Sequence, residues 1–273
     1  MDKSAIEQIQ QAQTAEAVQA ALDKVNLQTP VVIAPEKFDI QNLERYMAGR
    51  VRYRGTMSTI SPEDFVRYCT DHDRTGAACF VDPQAMNAVT VFNLGTEEQP
   101  GHADYTAKLQ LQKTAEYRAV LDVDGNKLTQ KRLAEFLEDW GDHIQAYNAE
   151  GDAIALTKAI SAVRRLTIES SRKEDHEVQD FKASRSALEN VEARSDHGMP
   201  SGFRFTCIPY NGLAERSFEL RLSVLTGGEA PALVARIKRL EAVQEEMGQE
   251  FMELLNDSFE DYELITYLGK FSA

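Results

Sequence analysis

The most regular pattern in the chain is an alternation of apolar and polar residues over 216–225. Its apolar positions are Phe218, Leu220, Leu222 and Val224. Successive side chains of a strand point to opposite faces, so this alternation predicts a half-buried β-strand. A similar strand is predicted at 203–210, and the Asn211-Gly212 pair between them is a strong hairpin signal. We therefore predict that these two strands are adjacent and antiparallel.

Helical spacing of apolar residues predicts helices that are separate from the strands. The clearest helix runs from Thr129 to Trp140, with Leu133, Phe136, Leu137 and Trp140 on its inner side. Runs of antiparallel strands beside segregated helices are typical of an α+β fold with one or more antiparallel sheets. The other predicted helices are 62–72, 154–163 and 240–254, and the other predicted strands are 51–59, 79–81, 88–94, 105–111, 233–237 and 264–268.

The first helix differs from the others because its apolar stripe is narrow. Residues 4–25 carry five glutamines and many alanines around that stripe. An isolated helix of this kind is marginal in water, so another surface must hold it. We therefore predict an N-terminal helical arm at 1–27, which contributes to a subunit contact, and a single α+β domain at 28–273. Over 166–194 the polar, mixed pattern leaves helix and strand both open.

The charge of the chain limits its partners. Its 273 residues include 30 basic and 44 acidic side chains, a formal net charge of −14. This excess opposes nonspecific binding to nucleic acid or to an anionic membrane, but it is compatible with a local basic patch. Residues 240–273 contain nine acids and one lysine, either as a solvated helix face or as a surface for a basic partner. The pattern shows neither a membrane span nor a signal peptide, so we predict a cytoplasmic protein.

No established catalytic or nucleotide-binding motif occurs. The three cysteines, Cys69, Cys79 and Cys207, lack C-x-x-C spacing, which argues against disulfides and a thiolate zinc site. P-loop, G-x-G-x-x-G and G-x-S-x-G patterns are absent from the sequence. We predict no catalytic, cofactor-binding or metal-ligating residues. The doublet at 72–73 and the D-x-K pattern at 180–182 only partly match metal-dependent nuclease or phosphohydrolase sites, because the remaining ligands cannot be placed.

One basic and aromatic segment stands out from this acidic background. It runs from 45 to 54 without an acid, and its candidate anion-binding or nucleic-acid-binding residues are Arg45, Arg50, Arg52, Tyr53 and Arg54. On a strand, Arg52 and Arg54 point the same way about 7 Å apart, a spacing that suits successive phosphates or paired carboxylates. The tyrosines between them could stack bases. The alternative is an exposed strand whose arginines pair with the protein's own carboxylates.

Three segments resemble a known family. They are 128–139, Pro35-Glu36-Lys37-Phe38 and 203–210, and the most specific pattern is Thr-Gln-x-x-x-Ala-x-Phe-Leu-Glu-Asp, which begins at Thr129. In these residues the chain resembles the YfdQ-like proteins of bacterial prophages and tailed phages, and the resemblance runs along nearly the whole chain. That family has no assigned function and contributes no catalytic residues. The resemblance implies a phage-encoded accessory protein that works in a bacterial cytoplasm.

Three functions stay open from the sequence. The favoured one is a non-enzymatic, homo-oligomeric protein that binds host or phage proteins or acts as a scaffold, because catalytic motifs are missing and the N-terminal helix needs a partner. The alternative is a nucleic-acid or nucleotide-binding accessory protein that uses the arginines at 45–54, although the net charge does not favour it. The second alternative is a metal-dependent nuclease or phosphohydrolase. No cofactor and no membrane association is predicted.

Overall fold

The computed structural model describes residues 3–22, 43–166, 199–225 and 232–272. The chain forms two compact units, residues 1–53 and residues 54–273. The first unit contains helix α1 (Lys3–Leu22), which confirms the predicted N-terminal helix, and the 3-10 turn Glu44–Tyr46. None of its described side chains is buried. The predicted domain boundary after residue 27 lies outside the described residues and stays a prediction.

The second unit is an α+β assembly of strands and helices. Its elements in chain order are β1 (Gly55–Thr59), α2 (Pro62–Asp71), β2 (Ala78–Asp82), β3 (Asn87–Val91), β4 (Tyr105–Gln110), α3 (Ala115–Val123), β5 (Lys127–Leu128), α4 (Gln130–Asp139), the 3-10 turn Gly141–His143, β6 (Ile144–Tyr147), β7 (Ala153–Ile154), α5 (Leu156–Arg165), β8 (Gly202–Cys207), β9 (Arg216–Leu225), β10 (Ala232–Ile237), α6 (Leu240–Phe259) and β11 (Ile265–Leu268). The undecided segment at 166–194 lies almost entirely outside the described residues.

The strands form two sheets, of which one has five strands in the order β1-β4-β3-β2-β11. Its three central strands are antiparallel, as the sequence predicts. Its edge strands differ, because β1 pairs with β4 in parallel and β11 pairs with β2 in parallel. Parallel neighbours need a long crossover connection. Helix α2 lies in the connection from β1 to β4, and α6 immediately precedes β11.

The other sheet has six strands in the order β5-β10-β9-β8-β6-β7, and every neighbouring pair is antiparallel. The predicted hairpin is confirmed, because β8 and β9 are adjacent and Cys207 lies opposite Arg216. The Leu213 amide donates to the Tyr210 carbonyl at 3.1 Å, which makes Asn211-Gly212 the centre of a tight turn. Gly212 has φ +94°, a conformation that glycine adopts without steric cost.

Helices α3, α4 and α5 pack on one face of the six-stranded sheet. Helix α4 begins at its cap residue Thr129, whose hydroxyl accepts from the Arg132 amide at 3.2 Å. Leu133, Phe136 and Leu137 are buried as predicted, and the Phe136 ring lies 5.9 Å from that of Phe205 in the sheet. The opposite face of the sheet therefore faces away from the helices.

No helix in the described ranges has the length and apolar character needed to cross a bilayer.

The three cysteines pack as small apolar residues. All are free and buried. Burial raises the pKa of each thiol to about 12. These thiols therefore stay protonated near neutral pH, the opposite of the lowered pKa that activates a nucleophilic cysteine.

Candidate anion-binding surface

The predicted basic segment at 45–54 does not form the strand on which its geometry was based. Strand β1 begins at Gly55, which lies opposite Tyr105, the first residue of β4. Within 45–54, all of which the structure describes, no residue belongs to a strand, and the chain bends there instead. The predicted strand spacing of Arg52 and Arg54 is consequently wrong.

Two contacts of this segment join residues that are close in the chain. The Arg45 guanidinium lies 4.7 Å from the centroid of the Tyr46 ring, and the Val51 amide donates to Glu44 Oε1 at 3.2 Å. Residues 45–53 belong to the first unit, whereas Arg54 opens the second. Anion binding by Arg45, Arg50, Arg52, Tyr53 and Arg54 stays a prediction.

A second basic cluster lies on the outer face of the six-stranded sheet. Arg221 in β9 lies directly opposite Arg236 in β10, and both side chains are exposed. Lys238 and Arg239 follow Arg236 in the turn before α6, and they are exposed too. We call these four residues, Arg221, Arg236, Lys238 and Arg239, the cationic face.

The cationic face concentrates like charge on one part of the sheet. Like charges directly opposite each other on neighbouring strands destabilise a sheet. In the described part of the chain, no carboxylate forms an ion pair with any of the four side chains. This differs from Arg204 on the same face, which binds Glu219 at 2.6 Å. Because Arg221 and Arg236 make no ion pair in the described part of the chain, their guanidinium groups can donate hydrogen bonds to an external anion.

The four cations line a cavity of about 340 Å³ at the beginning of α6. Two carboxylates, Asp124 and Glu241, also line it, so its lining carries a net charge of +2. Arg239 is the N-cap residue of α6, with φ 55°, and its side chain makes no hydrogen bond to the first turn. The first amides of the helix therefore add positive potential at the cavity.

Asp124 holds the turn of the cationic face in place. Its Oδ1 atom accepts from the Ile237 amide at 2.7 Å, and the next amide, Gly125, donates to the Ala235 carbonyl at 2.8 Å. These bonds fix the end of β10, from which Lys238 and Arg239 project. One oxygen of the Asp124 carboxylate thus accepts a hydrogen bond from the backbone.

An aromatic ring continues the row of the two arginines across the sheet. Tyr147 lies opposite Gly202, and Gly202 lies opposite Arg221. A Cβ atom at Gly202 would lie 2.3 Å from the Tyr147 hydroxyl and 2.6 Å from its Cζ atom. The absence of a side chain at Gly202 therefore lets the tyrosine ring lie across β8 toward the arginines.

The phenol of Tyr147 is fixed by its environment. Burial and the neighbouring Glu219 carboxylate raise the pKa of Tyr147 above its usual value. The hydroxyl therefore keeps its proton at neutral pH and donates to the Leu220 carbonyl at 3.1 Å. The Lys238 Nζ atom lies 5.9 Å from the ring centroid, near the outer limit of a cation–π contact. Tyr147 thus lies beside the cationic face on the outer side of the sheet, outside the cavity that the four cations line.

A larger cleft of about 760 Å³ lies along α6, and Met86, Tyr210, Glu245, Met247 and Met252 are among the residues that line it. Burial, with a smaller contribution from Tyr117, raises the pKa of Tyr210 to about 12. The phenol therefore stays protonated near neutral pH. Glutamine and glutamate side chains also line this cleft, and Met86 and Met247 are buried at its base.

Among the described residues, no group of three or more histidine, cysteine, aspartate or glutamate side chains could hold a metal ion. His72 Nδ1 lies 2.9 Å from the Tyr68 carbonyl oxygen, and Asp73 Oδ2 accepts from the Glu263 amide at 3.0 Å. Both residues of this doublet therefore take part in hydrogen bonds within the fold. The D-x-K pattern at 180–182 lies outside the described residues, so the metal-dependent alternative stays a prediction.

Sequence reasoning missed the cationic face because its members are far apart in the chain. The alternation over 216–225 puts Arg221 on the outer side of its strand, but Arg221 is 15 residues from Arg236 in the chain. Only the register of β9 with β10 shows that they meet. The available signal was the outward position of both arginines on two consecutive strands.

Comparison with known proteins identifies a family for the whole chain. A family model described as "Uncharacterized conserved protein (DUF2303)" matches residues 2–271. No curated protein and no solved structure is significantly similar to the chain. The family description names no activity, so function must be argued from the surface geometry.

Proposed function

This chain belongs to the DUF2303 family, and we propose that it is a non-catalytic protein that binds phosphate groups on its cationic face. The observation that carries the proposal is the uncompensated cross-strand pair of Arg221 and Arg236 beside the 340 Å³ cavity. Guanidinium groups are planar and donate two parallel hydrogen bonds, which suits phosphate oxygens. Lys238 and Arg239 supply further donors at the cavity.

The overall charge determines what size of anion suits this surface. With a net charge of −14, the rest of the protein repels an extended polyanion. A short phosphate-bearing segment that reaches only the cationic face gains local attraction and avoids most of that repulsion. We therefore assign the protein to the nucleotide- or nucleic-acid-binding class, with a site different from the arginines at 45–54.

The biological setting of this proposal comes from the resemblance to YfdQ-like proteins. Residues 129–139 carry the most specific pattern of that resemblance, and they form the capped helix α4. We propose on this basis a phage- or prophage-encoded accessory protein that works in a bacterial cytoplasm. Binding of phosphate groups without a catalytic cluster suits an accessory role.

The proposal is tested by titrating the full-length protein with pyrophosphate in a calorimeter at low salt. We expect saturable binding by the native protein and at least a tenfold weaker affinity for the double variant Arg221→Gln/Arg236→Gln, because hydrogen bonds to charged groups contribute about 1.5–3 kcal/mol each. Arg67→Gln is the matched control, since Arg67 is an exposed arginine on α2 that pairs with Asp64. Absence of binding to the native protein, or equal weakening by the control, would contradict the proposal.

A homo-oligomeric scaffold is the second candidate, and an observation in the first unit supports it. This unit exposes five large apolar side chains between 43 and 53, namely Leu43, Tyr46, Met47, Val51 and Tyr53, each more than half exposed. Contiguous exposed apolar residues are typical of protein contact sites. We propose that this segment, together with the N-terminal helix, contributes to a contact between subunits.

The oligomer is tested by light scattering on the full chain and on the triple variant Tyr46→Ser/Met47→Ser/Val51→Ser. We expect a mass above one chain for the native protein at micromolar concentration, and a shift toward one chain for the variant. The variant changes only exposed side chains, so its unfolding midpoint should match that of the native protein. A monomeric native protein would refute the oligomer, and an unchanged mass in the variant would refute this contact.

A further inference from the structure

We propose that Tyr147 stacks an unpaired nucleobase while the cationic face binds the adjacent phosphates, so that the ligand is single-stranded nucleic acid. This inference rests on the proposed function, because it takes phosphate binding at the cationic face as given. It adds a base-recognition residue and a class of ligand. It is carried by the position of Tyr147 on the same row of the sheet as Arg221 and Arg236.

The ring of Tyr147 is held as a platform. Its hydroxyl donates to the Leu220 carbonyl at 3.1 Å, so the far end of the side chain is anchored to β9. The same end lies over Gly202, where a Cβ atom would be 2.3 Å from the hydroxyl. One side of the ring therefore rests against the sheet, and part of the residue stays accessible because it is only half-buried. Prepositioned aromatic rings of this kind lose little entropy when a base stacks on them.

The distance along the row suits a nucleotide. Neighbouring strands are about 4.8 Å apart, so the backbone positions of Tyr147 and Arg236, three strand spacings apart, lie about 14 Å from each other. Tyr147 leans toward Arg221 across the intervening glycine, which shortens the gap between ring and first guanidinium. A base on the ring therefore places its sugar and flanking phosphates over Arg221 and Arg236.

Lys238 links the two parts of the surface. Its Nζ atom lies 5.9 Å from the Tyr147 centroid and lines the same cavity as the two arginines. A lysine side chain is a flexible point charge. It can therefore move from the ring to a phosphate when a base takes its place, and the cation stays within the site.

A single strand fits this surface better than a duplex. A base can stack on a side chain only when it has left its own stack, which requires a duplex to lose pairing and stacking but requires little of an unpaired strand. A duplex also brings a denser line of charge against a protein of net charge −14. The surface offers one ring and four cations, so the contact covers only a few nucleotides.

The experiment measures fluorescence anisotropy of labelled dT15 and of labelled rU15 with the full-length protein, together with calorimetry of pyrophosphate. The variants are Tyr147→Ala and Tyr147→Phe. We expect Tyr147→Ala to weaken oligonucleotide binding about tenfold, and Tyr147→Phe, which keeps the ring, to stay within about threefold of the native affinity. Pyrophosphate affinity should be unchanged in both variants, since it needs only the cationic face.

The outcomes separate this inference from the proposed function. Binding of either oligonucleotide with selective loss in Tyr147→Ala supports base stacking, and the comparison of dT15 with rU15 identifies the sugar that is preferred. Pyrophosphate binding without oligonucleotide binding, or equal oligonucleotide affinity in Tyr147→Ala and the native protein, overturns the stacking role and leaves phosphate binding intact. Tighter binding of a 15-base-pair duplex than of dT15 also overturns it. If the native protein does not bind pyrophosphate, the proposed function itself is overturned.

Discussion

We expect Arg236→Glu to make the protein more stable and at the same time to remove phosphate binding. In the native sheet Arg236 lies opposite Arg221, and a glutamate at this position would replace repulsion by attraction. Opposite charges in such a cross-strand pair contribute roughly 0.2–1 kcal/mol, and like charges cost a similar amount. The free energy of unfolding should therefore rise by about 1 kcal/mol. Improved stability with lost binding is the expected signature of a functional site that retains unfavourable charges.

Urea unfolding and pyrophosphate calorimetry on the same variant check both halves of this prediction. Arg67→Glu is the control, because it changes the net charge by the same amount at an exposed position that is paired with Asp64. We expect the control to be slightly less stable than the native protein and to bind pyrophosphate with similar affinity. If Arg236→Glu destabilises the protein or keeps native pyrophosphate affinity, the arginine pair does not have the role assigned to it.

The largest stability effect is expected at the core of helix α4. Phe136 is 8% exposed and its ring stacks at 5.9 Å on Phe205 of β8. Phe136→Ala removes an aromatic side chain that joins the helix layer to the six-stranded sheet and leaves a cavity there. Such substitutions cost about 3–5 kcal/mol, so we expect a loss of that size in the free energy of urea unfolding.

The adjacent residue provides the matched comparison. Glu135 is exposed on the same helix, where its carboxylate lies 3.6 Å from Lys131. Glu135→Ala should therefore change the free energy of unfolding by no more than about 0.5 kcal/mol. Equal destabilisation by Phe136→Ala and Glu135→Ala would show that the buried face of α4 is assigned incorrectly.

The sequence alone predicts those elements whose structure is determined by residues close together in the chain. The Asn211-Gly212 turn predicts the pairing of β8 with β9, and the observed register is centred on that same pair. The predicted start at Thr129 coincides with the N-cap residue of α4, and the inward residues of this helix follow from helical spacing alone. In both the β8–β9 hairpin and α4, the turn or cap residues and the apolar pattern indicate the same structure. These elements are therefore predictable without tertiary information.

The cationic face was not predictable in this way, because it depends on the register of β10. A two-residue turn at Gly227-Gly228 would place Arg236 opposite Glu219 as a salt bridge. The observed register is shifted by two residues, so Arg236 lies opposite Arg221 instead. A shift of two keeps the same side chains outward. The pattern of burial was therefore predictable, but the cross-strand neighbour that creates the candidate site was not.

For the arginines at 45–54, the sequence predicts a strand that the structure does not contain. Alternation extended the predicted strand back to Val51, but β1 begins at Gly55, where β4 first provides a partner. A strand needs a neighbour for its backbone hydrogen bonds, and side-chain alternation alone does not show where that neighbour ends. The arginines at 45–54 are close together in the sequence but do not lie on a strand. The arginines of the cationic face are far apart in the sequence and meet only through strand pairing.

Hydrogen–deuterium exchange of the full-length protein, with and without saturating pyrophosphate, tests the central claim most directly. The first amides of α6 have no side-chain cap and border the cavity of the cationic face, so a bound phosphate should accept hydrogen bonds there and slow their exchange. We predict slower exchange in peptides that cover 237–243, with no change at 45–54. Slower exchange at 45–54 with none at 237–243 would contradict the assignment of the phosphate site to the cationic face.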